Sequence, residues 1–514
     1  MTPAANPDRS APGGRDATVV VRPPVGSTAV GSDPDPAAGR PRGATPGPRE
    51  RLVAAVRETP PGLSPFWRRV VVATLVVQVL VVLSVTVVTA LEFHVWSPID
   101  EEAHFSYIQQ VAEHGSLPVL GRTPTSPQGL AIAHGTYPRP VHLSPAHLGL
   151  IATSYEAFQP PLYYVLAVPA FDVPSNYLHK VYAVRLFGVG LLLVAIVLAA
   201  RLARVVLGDR WMLGWSMVLA FLTLPGVVLR MATISPTPLA VVLGILFVTE
   251  LWLAWTRHSA GRLLGAGAVA GLCVLTELEL LAFLPVLALV VVAEVVHRTR
   301  RHRADPAEGR RPGQVAVGWV VAALAVPVVL VAPWLAFNEA TYHLLTAGTI
   351  AIREQTYLVN PQHLHFSPIH LPDDTAVLID PTLPAEWINA WGANPSMAYL
   401  GALLAVMMGP AALFVILGKG RKLWSVRWAI LGLPVLVMLV ELLAVRYVEQ
   451  WVVQPRYAYA ALPGFLVLAA AATRDTFRAS YLPVLGNAVA AGVLVTLWSY
   501  LFFFYQGNYH FWGA

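Results

Sequence analysis

The sequence specifies an all-α polytopic membrane protein, and three observations carry that reading. Hydrophobic residues fill 56% of the 514 positions and charged residues only 12%, a balance foreign to ordinary soluble domains. The apolar residues gather in runs of about twenty, the length an α-helix needs to cross a bilayer. Lys and Arg collect in alternate loops between the runs, as the positive-inside rule requires. The single cysteine, Cys273, lies within one run. It excludes an intramolecular disulfide and a thiolate metal cluster, and reads as a small core residue.

Residues 1–66 are rich in Pro, Gly, Asp and Arg. They hold too little apolar surface to repay ordering and are expected to form a disordered cytoplasmic tail, leaving 67–514 as the membrane domain. The first apolar run, Val70–Leu91, is too long for a signal-peptide core and has no small-residue cleavage site behind it, so it reads as a spanning helix. Further segments follow at 183–207, 211–229, 235–256, 262–276, 279–297, 315–336, 397–417, 424–444, 458–472 and 482–505. Together they predict about eleven crossings, with ten to thirteen as the bounds. Pro160–Phe171 is too short to cross and suits a re-entrant or interfacial helix. Arg57, Arg68 and Arg69 place the N-terminus inside. With eleven crossings the loops at 201–210, 257–262, 297–311, 419–427 and 474–478, all rich in Arg or Lys, also fall inside. Were Pro160–Phe171 a crossing, all of them would flip. The predicted topology is N-in, C-out, with long outer loops at 92–182 and 337–396. No internal repeat of the inverted-transporter kind is visible.

The chemistry concentrates on the predicted outer face. Directly after the first crossing stands Trp96-Ser-Pro-Ile-Asp-Glu-Glu-Ala-His-Phe-Ser-Tyr107. Ser97, Pro98 and Asp100 read as N-cap, N1 and N3 of a new helix. Asp100, His104 and Tyr107 would then share one face, and Phe105, Ile108 and Ala112 would form a neighbouring apolar stripe facing lipid. The same face collects Glu156, Gln159, Arg185, Arg230, Glu277, Glu279, Asn338, Gln454, Arg456 and Tyr457. Arginines at a non-cytoplasmic boundary run against the usual bias, and charges at membrane depth tend to mark functional sites. Carboxylates able to act as bases, beside guanidiniums able to grip a phosphate with two parallel hydrogen bonds, suit an enzyme acting on a lipid phosphate. Tyr163 and Tyr164 read as interface anchors. Asp100 and His104 are two potential metal ligands at i, i+4, while His363, His365 and His370 are distant. That spacing does not support a metal site, and no cofactor is expected; His104 suits a hydrogen bond to the substrate, or to a residue that touches it, better.

Four stretches in order, Ser97-Pro-Ile-Asp-Glu-Glu-Ala-His104, Gln159-Pro-Pro-Leu-Tyr-Tyr164, Ala332-Pro-Trp-Leu-Ala-Phe-Asn338 and Gln454-Pro-Arg-Tyr457, resemble the GT-C superfamily of polytopic glycosyltransferases. The likeness is to bacterial relatives of protein O-mannosyltransferases and aminoarabinose transferases and covers about residues 70–470. It implies an inverting transfer of a sugar from a polyprenyl-phosphate donor to a glycan, lipid or protein acceptor outside the cytoplasm. The bilayer is the other expected partner, and nucleic acid is not one. It maps the acidic catalytic position onto Asp100, with Glu101 beside it, and the carrier-phosphate contact onto Arg456. His104, Glu156, Gln159, Arg185, Arg230, Asn338, Gln454 and Tyr457 complete the expected substrate site. The chain departs from the pattern at Leu275-Thr-Glu277, where relatives often carry Leu-Thr-Lys, and at Ser235-Pro-Thr-Pro238, which lacks an Asp. The rival readings are a transporter or flippase of a lipid-linked saccharide and a non-catalytic protein of envelope assembly.

Overall fold

The computed structural model describes residues 64–93, 95–96, 100–142, 153–304, 312–348, 426–447, 455–473, 484–493 and 495. The predicted tail up to residue 63, the crossing at 397–417, Ser97, Pro98, His363, His365, His370 and Gln454 lie outside these residues, as do most of the second outer loop and much of the last crossing. Among the described residues the architecture is helical, and the only β-pairing is an isolated bridge between Pro124 and Thr153.

Among the described residues five stretches are long and apolar enough to cross a bilayer: Pro65–Glu92, Tyr177–Leu222, Thr237–Arg257, Leu278–Arg300 and Ala322–Tyr342. The first is helix α1 (Pro65–Glu92), which begins ahead of Val70 because Ser64 accepts from the Trp67 N–H and Pro65 occupies the first turn, where its missing N–H costs nothing. Three shorter helices follow: α2 (Glu101–His114), α3 (Pro127–Ala133) and α4 (Leu162–Asp172). The 11 residues of α4 give the short helix that its length predicted.

Next come α5 (Tyr177–Leu207) and α6 (Trp211–Leu222), joined by a 3₁₀ turn, then α7 (Pro225–Ala232) and α8 (Thr237–Arg257). The apolar run 211–229 is thus two helices. Pro225 excludes a continuous helix, and the Thr223 hydroxyl bonds back to the Ala220 carbonyl at 2.6 Å. The chain continues through α9 (Ala260–Val274), α10 (Phe283–Ala304), α11 (Pro312–Tyr342), α12 (Val426–Tyr447) and α13 (Leu462–Thr473).

Close backbone approach, rather than large side chains, sets two of the contacts. A Cβ on Gly271 of α9 would meet the Pro327 backbone of α11 at 2.9 Å. A Cβ on Gly244 of α8 would strike the Ala460 carbonyl. Small residues at helix contacts let membrane helices gain dispersion energy that apolar bulk alone does not supply there.

The shorter helices pack inward. Phe105 and Ile108 are fully buried between α2 and its neighbours, which corrects the expectation of a lipid-facing stripe. Tyr163 and Tyr164 are also fully buried, so they are core residues and not interface anchors. Tyr164 stacks on Tyr107 with ring centroids 3.7 Å apart. An aromatic α4 therefore supplies the surface on which α2 lies. Cys273 is buried, as its place in an apolar run predicted.

Charges divide between the two ends of the helices. One end holds Arg201 and Arg262 on Glu250, and His258 and Arg298 on Glu294. The other holds Arg185, sixteen residues and roughly 24 Å of helix rise before Arg201 on α5.

Because Gly244 lets the 458–461 segment sit directly against α8, Gly244→Val should displace it and the adjoining Arg456. A loss of about 1–3 kcal/mol is expected. Thermal denaturation in detergent, with Gly190→Val as an unobstructed control, would measure it.

Candidate active site

The site begins with a saturated ion pair. Glu101, in the first turn of α2, accepts from Arg185 Nε and Nη2 at 2.8 and 2.6 Å and from the Trp96 and Ile234 N–H groups at 3.1 and 3.0 Å. Arg185 also donates to the Ala90 and Phe93 carbonyls at 3.2 and 2.8 Å. Both side chains are essentially inaccessible, at 1% and 0% exposure. The sequence expectation placed Glu101 among the catalytic groups and Arg185 at the substrate. The geometry commits them to each other, because each already spends its hydrogen-bonding capacity inside the protein.

Asp100 is arranged differently. It is the N-cap residue of α2, in the left-handed region with φ at 78°, and its carboxylate makes no cap. This replaces the predicted N3 position. The backbone turn aims the side chain away from the helix, where Oδ2 meets Arg456 Nη2 at 3.1 Å and Oδ1 accepts from the Tyr155 hydroxyl at 3.1 Å. Arg456 comes from a 3₁₀ helix, Pro455–Ala458, ahead of α13, and lies over the Tyr457 ring. Two predicted motifs 356 positions apart therefore meet.

Around this pair stand groups with capacity to spare. Gln159 gives its carbonyl to Tyr107 at 3.2 Å, while its Oε1 has no partner among the described residues. Neither have Glu156 Oε2 and Glu279 Oε2. Burial, reinforced by Asp100, holds Glu156 well above the usual carboxylate range. Glu277, at the departure from the family pattern, accepts from Thr237 at 3.2 Å, and burial and Glu279 push it up to about 8. The Leu162 N–H bonds the Leu275 carbonyl at 2.9 Å, which ties the α4 entrance to this turn.

His104 is 1% exposed, and its Nδ1 lies 2.9 Å from the Tyr164 hydroxyl. Burial and the positive charges of Arg456 and Arg230 lower its proton affinity, so the ring is neutral at pH 7. Its Nε2 has no partner among the described residues. Arg230, 3% exposed, is placed by the short α7 close enough to act on both His104 and Glu277.

Asn338 bonds the Leu345 carbonyl at 3.0 Å and closes the turn after α11. Sequence reasoning missed Tyr155 and Glu102, a loop tyrosine and one carboxylate among three adjacent. Their only signal was position inside stretches already singled out. Among the described residues no group of three or more His, Cys, Asp or Glu side chains is arranged to hold a metal ion.

Among solved structures the chain is similar to ArnT from Cupriavidus metallidurans bound to undecaprenyl phosphate, with TM-score 0.45 and 16% identity over 78% of this chain and 60% of that one. It is similar also to the oligosaccharyltransferase AglB from Archaeoglobus fulgidus in complex with an inhibitory peptide and a dolichol-phosphate, with TM-score 0.39 and 13% identity over 88% and 57%. Both are GT-C superfamily members. The chain thus spans about three fifths of their length. No protein-family model and no curated protein matches it. Likeness of this size does not carry the chemistry, which rests on the residues.

If Glu101 and Arg185 are architectural, Arg185→Ala should cost about 3–5 kcal/mol by stranding a buried carboxylate. Arg456→Ala, at a less enclosed pair, should cost less. Detergent melting of both variants would test the order.

Proposed function

We propose that the chain is an inverting membrane glycosyltransferase, taking a sugar from a polyprenyl-phosphate donor and giving it to a glycan, lipid or protein acceptor on the extracytoplasmic face. The observation that carries the reading is the Asp100–Arg456 pair, a carboxylate and a guanidinium joined at one end of the helices amid buried polar atoms without partners among the described residues. Asp100 takes the proton of the acceptor hydroxyl as its oxygen bonds the anomeric carbon. The bond from that carbon to the phosphate oxygen breaks, and its electron pair leaves with the lipid phosphate. Arg456, with Arg230 behind it, meets the growing negative charge. A positioned base is worth roughly 10²–10⁴-fold and such charge complementation roughly 10²–10³-fold. His104, Glu156 and Gln159 bind sugar hydroxyls. Glu101 and Arg185 hold the frame.

The same reading takes the membrane domain as about eleven crossings, N-in and C-out. The end bearing Arg201, Arg262 and Arg298 faces the cytoplasm. Supporting this are the partly exposed arginines there, at 30–41%, against the buried charges of the other end.

Membranes incubated with labelled polyprenyl-phosphate sugars should transfer the label. Asp100→Asn should nearly abolish turnover while folding and donor binding persist, since an amide cannot take the proton. Normal turnover would remove Asp100 as base. Arg456→Lys keeps the charge and loses the planar fork, so donor affinity and rate should fall together. Topology is checked separately by single-cysteine labelling on a Cys273→Ala background. A cysteine at Asp305 should resist an impermeant reagent in intact cells.

A further inference from the structure

We propose that Tyr155 and Glu102 form a proton relay that empties Asp100 after each transfer. The inference rests on Asp100 being the base. Its geometry is a single hydroxyl between two carboxylates: Tyr155 Oη is 3.1 Å from Asp100 Oδ1 and 3.4 Å from Glu102 Oε1. Both carboxylates lie at the start of α2, and Tyr155 reaches them from a 3₁₀ helix, Tyr155–Phe158. That helix is pinned: the Ala157 N–H bonds the Ser154 carbonyl at 3.0 Å, and the Ser154 N–H bonds the Thr123 carbonyl at 2.8 Å.

Among the described residues the other contacts of Asp100 take no proton. Glu101, next in sequence, is filled by four donors. Asp100 Oδ2 faces Arg456, a group that accepts no proton. Asp100 itself is only 7% exposed. Glu102 is half-buried, with Oε2 enclosed and without a partner among the described residues. The path therefore runs from an enclosed carboxylate to a more open one.

The step balances without a co-reactant. Protonated Asp100 gives its proton to the Tyr155 oxygen as Tyr155 gives its own to ionised Glu102, and Glu102 later releases it to water. Burial, with Asp100 and Glu101 adding to it, holds Glu102 at about 8. The groups facing Glu102 are Asp100 and Glu101 on its own helix and Tyr155 on the 3₁₀ helix. The packed α3 has no titratable side chain, and α4 brings Tyr163, Tyr164 and Asp172. Since the relay needs Glu102 ionised, turnover should climb as pH rises from about 7 to about 9.

Two measurements test the relay. Infrared titration of the purified protein in detergent needs no turnover. Glu277 also titrates near pH 8, so the readout is the difference spectrum: the part of the carboxylic-acid band near pH 8 that is lost in Glu102→Gln should move to lower pH in Asp100→Asn. An unchanged titration in either variant would overturn the coupling. The second is the pH profile of transfer from labelled undecaprenyl-phosphate sugars. Tyr155→Phe and Glu102→Gln should each lower kcat roughly 10²-fold, leave the donor KM in place and flatten the alkaline rise. Glu102→Gln, at a half-buried position, guards against a Tyr155→Phe protein that fails to fold. Wild-type profiles in these variants, with Asp100→Asn inactive, would overturn the relay alone. An active Asp100→Asn enzyme would instead remove the base on which it depends.

Discussion

The Glu101–Arg185 pair is the constraint on which its end of the molecule depends. Five separate groups of the chain converge on it: the α1 terminus through the Ala90 and Phe93 carbonyls, the Trp96 and Ile234 N–H groups, α2 and α5. Taking two such charges out of water costs several kcal/mol each, and their attraction repays this only when geometry and hydrogen bonding are nearly complete. Here the carboxylate has four donors. The pair adds little net stability over an apolar contact of equal volume, but it admits essentially one register of these segments.

That register produces the reactive geometry one residue away. With Glu101 turned inward, Asp100 must enter the helix from a left-handed conformation, which costs an L-residue on the order of 1 kcal/mol and which Asp tolerates better than most. The return is a carboxylate that leaves the helix axis and meets Arg456. Three consecutive acids thus receive three environments: one shared between a guanidinium and a phenol, one sealed in an ion pair, one partly open. At the last of them burial raises the proton affinity, to about 8.

Hydropathy made the long helices legible, and length alone separated Leu162–Asp172 from the crossings. Pro225 carried a warning that 211–229 would break, which a sliding average of hydropathy suppresses. The site was legible as a set of residues but not as a set of roles. Nothing in Asp100-Glu101-Glu102 says which acid finds Arg185, because the partner lies 84 positions away from Glu101 and hydrogen bonding over such a separation leaves no local pattern. Tyr163 and Tyr164 misled for the reverse reason: tyrosines near a bilayer surface usually do anchor there, but α2 covers them. Tyr155 had no signal of its own, since a loop tyrosine gains meaning only from what its hydroxyl touches.

The charge balance that remains after Glu101 and Arg185 are set aside bears on the chemistry. Among the described residues Asp100, Glu102, Glu156, Glu277, Glu279 and Glu441 stand at this end against Arg230 and Arg456. Six carboxylates cannot all ionise beside two guanidiniums in a poorly solvated space, because each added charge raises the cost of the next. The raised proton affinities of Glu102, Glu156 and Glu277 express that limit. A site in this condition holds protons near neutral pH and exchanges them at small cost. It is suited to a reaction that releases one proton per turnover, and an arriving phosphate, by drawing on Arg456, would tighten the competition further. Binding of an anionic donor and protonation of the acidic groups are then thermodynamically linked, whichever carboxylate takes the proton first.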